Sequence, residues 1–321
     1  MKVLSSIVLL VLLANCCKSQ VYYVQDMTTV QIAALDREKT VVLLPGGILE
    51  EHGPYLPSFC DGYVNQALTL AIANYIIKKP GWKALIFPII PLGNGGANEI
   101  GRKYSFSGTY AVTQHTLRAI LMDLSSELGD QGFKKIIVIH GHGAPNHNQA
   151  IDEACEFFRD SYRGWMINIF NIGFTFSKDF RSESQQKEDG FTVHAGMQEH
   201  SVLYYLKPEL SPKDYKEAKP FSASSPDDLV TIAENSNWLG YFGSPRLSDP
   251  AFGKRAFEAS TKYILTQIGD LLDDKYDFSK PTCAQLIAAN PVFKSISDDA
   301  KINDKKKESK QNDWSKSKGL E

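Results

Sequence analysis

Continuous apolar runs too short for helices punctuate the chain, and polar, glycine-rich segments follow them. Thr40–Pro45 runs into Gly46 and Gly47, and residues 84–90 run into the glycines of 93–96. Lys135–Ile139 is followed by Gly141 and Gly143, and residues 165–170 make a fourth run. Short runs rich in Ile and Val suit strands buried on both faces. Between them apolar residues recur at helical spacing, over residues 64–77, 112–128 and 148–158. In the second stretch Leu117, Ile120, Leu121, Leu124 and Leu128 share one face, and Gly129 reads as a stop. Strand and helix in alternation predict an α/β fold, three layers in α/β/α order around a mostly parallel sheet. Such sheets bind ligands beyond the carboxyl ends of their strands. The polar residues behind each run are therefore the candidates for chemistry.

Six of the seven histidines fall in three such segments, while His115 sits on a predicted helix and reads as structural. The first segment, residues 47–61, holds Glu50, Glu51, His52 and Asp61. Acids and a histidine directly behind a buried strand are costly unless paired or bound to a metal. Their donor atoms suit Zn, Mn or Fe. The second segment, residues 140–147, carries His140, His142 and His147 among glycines that allow close approach of the backbone. The third, residues 194–201, places His194, Glu199 and His200 at the start of a helical run, where carboxylates and developing anions are favoured. Singly, the three have ordinary readings as a surface loop, a strand-to-helix turn and a helix cap.

Taken together and in order, the segments resemble the creatininase (creatinine amidohydrolase) family. The pattern G-x-x-E-x-H-G-P-x-L-P followed by an Asp is met by Gly47, Glu50, His52, Gly53, Pro54, Leu56, Pro57 and Asp61. A glycine-rich N-G-H-G-G-N segment is met by Gly141, His142 and Gly143, and H-A-G-E-x-E-T-S by His194, Ala195, Gly196, Glu199 and Ser201. Phe106, Gly108 and Thr109 match three of the four residues of F-P-G-T. The resemblance implies a hydrolase of cyclic or linear amides carrying two divalent metal ions (Zn, Mn or Fe). Glu50, Asp61 and His142 would hold one ion. His52, Asp61 as a bridge and Glu199 would hold the other, with His194 as proton shuttle. It also implies a small-molecule amide as substrate and a closed homo-oligomer, often a hexamer. The chain departs from the family pattern at His140, Ala144, Pro145, Met197, His200 and Lys103. The ligand positions survive, while the shell that would touch substrate differs. Two other readings stay open, a binding protein without turnover on the same fold and a hydrolase of lactone or keto-sugar rings.

The termini and the composition set the frame. Met1-Lys2, an apolar run from Val3 to Leu13 and then small and polar residues read as a signal peptide over residues 1–19. The mature protein is then expected outside the cytoplasm, secreted or periplasmic. No apolar run reaches the roughly 20 residues of a membrane span. The hydrolase domain is expected over residues 20–295. Residues 296–321 are rich in Lys and Asp and poor in apolar residues, which predicts an unstructured tail. With 35 basic and 37 acidic residues, no basic excess points to nucleic acid. Three cysteines remain beyond the leader, Cys60, Cys155 and Cys283, so at least one is free or paired between chains. Cys155 falls on a helix pattern and reads as a core residue.

Overall fold

The computed structural model describes residues 21–320 of the 321-residue chain. The leader expected over residues 1–19 lies outside the described residues. Five parallel strands form one sheet: β1 (Val21–Tyr23), β2 (Thr40–Pro45), β3 (Lys83–Ile86), β4 (Lys135–Ile139) and β5 (Trp165–Asn168), in the order β1-β3-β2-β4-β5. β1, three residues long at the sheet edge, carries too short a pattern to stand out in sequence. β2 is buried at every position, as its unbroken apolar run predicts.

Side chains alternate across the sheet, so each strand feeds two cores. Val41, Leu43, Ile137 and Ile139 pack with Leu68, Ile72, Ile264 and Ile268 of the helices Cys60–Ile76 and Pro250–Leu272. Val42, Leu44, Ile136 and Val138 pack on the opposite face with Leu117, Leu121, Ala154 and Phe158 of the helices Gln114–Asp130 and Pro145–Tyr162. The result is the expected three-layer α/β/α sandwich. Cys155 is buried in the second core, and among the described residues the three cysteines Cys60, Cys155 and Cys283 are free and buried.

Three local expectations need correction. Residues 165–170 are not one strand, because the Asn168 side chain accepts from Phe170 N–H and starts the short helix Ile169–Phe174. Gly129 does not stop its helix, which runs to Asp130; a Cβ there would meet the Tyr162 ring, so the glycine permits close packing. The charged C-terminal segment is not an unstructured tail. Pro291–Ser317 is one helix, capped by Asn290 and opened by Pro291. It buries Ile296, Ser297, Ala300 and Asp304, a stripe at helical spacing in which all but Ile296 are too small or polar to register as amphipathic. Among the described residues no helix is long and apolar enough to cross a membrane.

Candidate active site

The chain folds so that β2 connects to β3 on one side of it, and β3 then crosses over to β4 on the other. The divergence between β2 and β4 is the crevice where ligands settle in such sheets. Glu50 and His52 leave the end of β2, Asp61 opens the helix Cys60–Ile76, and His142 leaves β4. His194 and Glu199 arrive from the start of the helix Met197–Leu206. All six expected site residues converge there.

Asp61 stands at the centre. Its Oδ2 lies 3.0 Å from His142 Nδ1 and its Oδ1 3.7 Å from His52 Nε2. Glu50 Oε2 lies 3.2 Å from the same His142 nitrogen, and Glu199 Oε1 lies 3.4 Å from His52 Nε2. Each histidine is oriented by its other nitrogen. His52 Nδ1–H donates to the Glu50 carbonyl at 3.1 Å and His142 Nε2–H to the Gly95 carbonyl at 2.6 Å. His194 Nε2–H donates to the Glu51 carbonyl at 2.5 Å, leaving Nδ1 3.6 Å from Glu50 Oε1. In all three the remaining nitrogen faces the carboxylates, the arrangement a histidine ligand requires once a metal takes the place of its proton. Ligand-capable atoms of Glu50, Asp61 and His142 lie within 4.8 Å of one another, as do those of Glu50, His52 and His194, and those of His52, Cys60 and Glu199.

The donor set fits divalent metal. Glu50 Oε2 and His52 Nε2 are buried and lack any hydrogen-bond partner, a cost a bound cation removes. Without metal, burial opposes the charge on Asp61 and Glu50, yet the facing histidines, when protonated, outweigh it: Asp61 is held well below the ordinary carboxyl range and Glu50 below it, while the carboxylates hold His52 and His142 well above the usual imidazole value. Burial pushes His194 down, against the pull of Glu50, and keeps its imidazole neutral.

Local backbone explains how the third segment aims its residues. Ala195 has φ +53°, left-handed and strained for a residue with a Cβ. That turn points Ala195 N–H at Glu199 Oε2, 2.6 Å away, so the strained residue positions the carboxylate. Glu199 lies in the first turn of its helix, where the dipole favours its charge.

The departures from the family pattern separate once placed. Met197 packs into a small core with Phe252 and Ala256, and Lys103 reaches the Asn235 carbonyl and the Trp238 ring, so neither touches the ligand cluster. His200 stacks on Tyr215 at 4.6 Å, and His147 stands behind His142, edge-on at 5.0 Å, accepting from Asn94 N–H. His140 is buried with both ring nitrogens unpartnered. Ala144 and Pro145 line the cavity itself. Sequence reasoning left two neighbours unassigned. Glu51 is buried against the Thr109 hydroxyl at 2.6 Å, and burial together with Glu50 raises its pKa to about 8. Cys60, read only as an unpaired thiol, lies with His52 and Glu199. The adjacency of Glu51 to the paired Glu50 and His52 was the available signal for the first; nothing in sequence marks the second.

A family profile described as creatininase, creatinine amidohydrolase, matches residues 25–268. The chain belongs to the creatininase family. It is 26% identical over 226 residues to the mycofactocin precursor peptide peptidase of Mycobacterium ulcerans (strain Agy99), covering 67% of this chain and 79% of that one. It is also 26% identical over 200 residues to the creatinine amidohydrolase of Pseudomonas putida, covering 60% of this chain and 74% of that one. A mutant creatininase complexed with creatine shares the fold at TM-score 0.58 and 19% identity, covering 78% of this chain and 98% of that one. Creatininase structures described as a Zn-Zn type and as Mn share it at TM-scores of 0.56, each at 20% identity. Creatininase-family membership makes this chain a hydrolase of the amidohydrolase type.

Proposed function

We propose that this creatininase-family member is an exported, two-metal amidohydrolase that cleaves a C–N bond in a small cyclic or linear amide. The carrying observation is Asp61, whose two oxygens face His142 and His52 beside unpartnered Glu50 Oε2 and His52 Nε2. Glu50, Asp61 and His142 would hold one divalent ion, and His52, Asp61 and Glu199 the other. Zn, Mn or Fe held there would supply Lewis acidity and a water of lowered pKa. His194 is suited to the proton's path. Its Nδ1 accepts a proton from the attacking water and returns it to the leaving nitrogen. The hydrogen bond from Nε2–H to the Glu51 carbonyl keeps that tautomer in place. Glu50 and Asp61 need no deprotonation to serve as ligands at neutral pH.

The test is metal analysis of the purified protein together with hydrolysis of an amide panel. Retained transition metal and amide turnover are expected; no metal after supplementation overturns the reading. Lactone or ring cleavage without amide cleavage would move the activity to another bond, and metal without any turnover would make this a binding protein. A homo-oligomer of the hexameric kind is part of the proposal, read by light scattering. Export rests on the N-terminal pattern, and sequencing of the mature N-terminus should find it near Ser19 or Gln20.

A further inference from the structure

The family match ends at residue 268, yet the cavity over the ligand cluster is closed by residues beyond it. The cavity measures about 430 Å³, with Glu50, Asp61 and His142 on its floor. Ile287 of the helix Cys283–Ala288, and Phe293, Ile296 and Ala300 of the helix Pro291–Ser317, line it from the C-terminal segment. Its rim adds Phe174, Phe191 and Val193, which are 42%, 40% and 46% exposed. Apolar side chains left open to water around a polar floor are unusual outside a binding site.

The C-terminal helix is bolted down rather than laid across. Asp304 accepts from Asn94 Nδ2 and from Gln114 N–H, both at 2.9 Å. Asn146 donates to the Ser297 carbonyl at 2.9 Å, and the Ser297 hydroxyl donates back to Asn146 Oδ1. Ser297 thus spends its polar groups on the fold and presents none to a ligand. Among the described residues the one carboxyl on the cavity wall away from the cluster is Glu99, which burial and then Asp304 raise to a pKa of about 7. An anionic substituent entering here would lose water and face that carboxyl, and a cationic one would lose water for a single, partly neutralised partner, whereas an apolar one gains in proportion to the area it buries.

We propose that residues beyond 268 form a substrate-selecting roof, and that the amide taken carries one uncharged apolar substituent, aromatic or branched aliphatic, seated against Phe293 and Ile296. This inference rests on the hydrolase reading for the orientation of the C–N bond toward the floor. Binding of amides to the full-length protein, read by saturation-transfer NMR and titration, tests it without turnover. The probes are 3-phenylpropanamide, acetamide, the cationic 4-aminobutanamide and the anionic succinamate. The aryl amide should bind about tenfold or more tighter than the other three. Phe293→Ala should cut that preference about tenfold, Phe293→Leu should restore part of it, and Ala300→Phe should abolish aryl binding by filling the space; circular dichroism checks that each variant is folded. Equal binding of aryl amide and acetamide, tighter binding of either charged amide, or a preference untouched in the folded variants overturns the roof. Selective aryl binding by a protein that holds no metal and cleaves nothing supports the roof and sinks the hydrolase reading. Metal loading with acetamide cleaved and no aryl preference does the reverse.

Discussion

At the scale of single residues the ligand geometry makes the sharpest claims. Asp61→Ala removes the carboxylate shared by two histidines, so bound metal and amide turnover should both fall about a hundredfold or more. Lys103→Ala, whose ammonium lies on Trp238 away from the cluster, should leave metal content as it was by plasma emission. The buried histidines make a second claim, about acid. Burial, and then the charge on His142, lower His140 to about 4 from 6.5. Above pH 6.5 neither folded nor unfolded chain protonates this group, so it adds nothing to the pH dependence of stability. Between 6.5 and 4 only the unfolded chain takes the proton, and stability falls as pH falls. The loss approaches about 3 kcal/mol for this histidine, at roughly 1.4 per pH unit, and ceases below 4. Denaturant titrations of metal-free protein should show it, with a smaller drop in His140→Asn.

At the scale of elements, helix-to-helix distance fixes where Glu199 sits. The helix Pro250–Leu272 crosses the helix Met197–Leu206 at Gly253, where an added Cβ would lie 1.9 Å from the Ser201 carbonyl oxygen. Gly253→Ala must push the two apart. We expect a loss of about 1–3 kcal/mol in thermal unfolding, with weaker metal loading because the carboxylate moves with its helix. Gly53, at φ +66°, serves the other side of the site by reversing the chain directly after His52.

At the scale of the whole molecule, the C-terminal helix joins the roof to the ligand shell. Asp304 holds Asn94, and the next residue's carbonyl, that of Gly95, orients His142. Asp304→Ala leaves the Gln114 amide without its buried acceptor and Asn94 Nδ2 with the Val112 carbonyl alone, at a cost of about 1–3 kcal/mol to helix docking. Limited proteolysis should then cut within residues 291–317 faster than in the wild type, with the strands still protected from hydrogen exchange. Unchanged cleavage would show that apolar contacts alone hold the helix.

The sheet and the six side chains that meet at the end of β2 were readable along the chain, each on different grounds. Unbroken apolar runs such as Thr40–Pro45 have only one comfortable place, between two layers of helices. Glu50, His52, Asp61, His142, His194 and Glu199 were recognisable through the resemblance of three segments, taken in order, to the creatininase pattern, since singly each segment reads as a loop, a turn or a helix cap. Tertiary packing alone decided the rest. Asp304 looks like one charge among many, and only its placement over Asn94 and Gln114 turns a charged tail into a docked helix. Cys60 joins His52 and Glu199 because the start of the helix Met197–Leu206 abuts the segment between β2 and the helix Cys60–Ile76. Chemistry that depends on residue type is written locally, whereas the shape of the cavity depends on which surfaces meet, and that is a property of the folded chain.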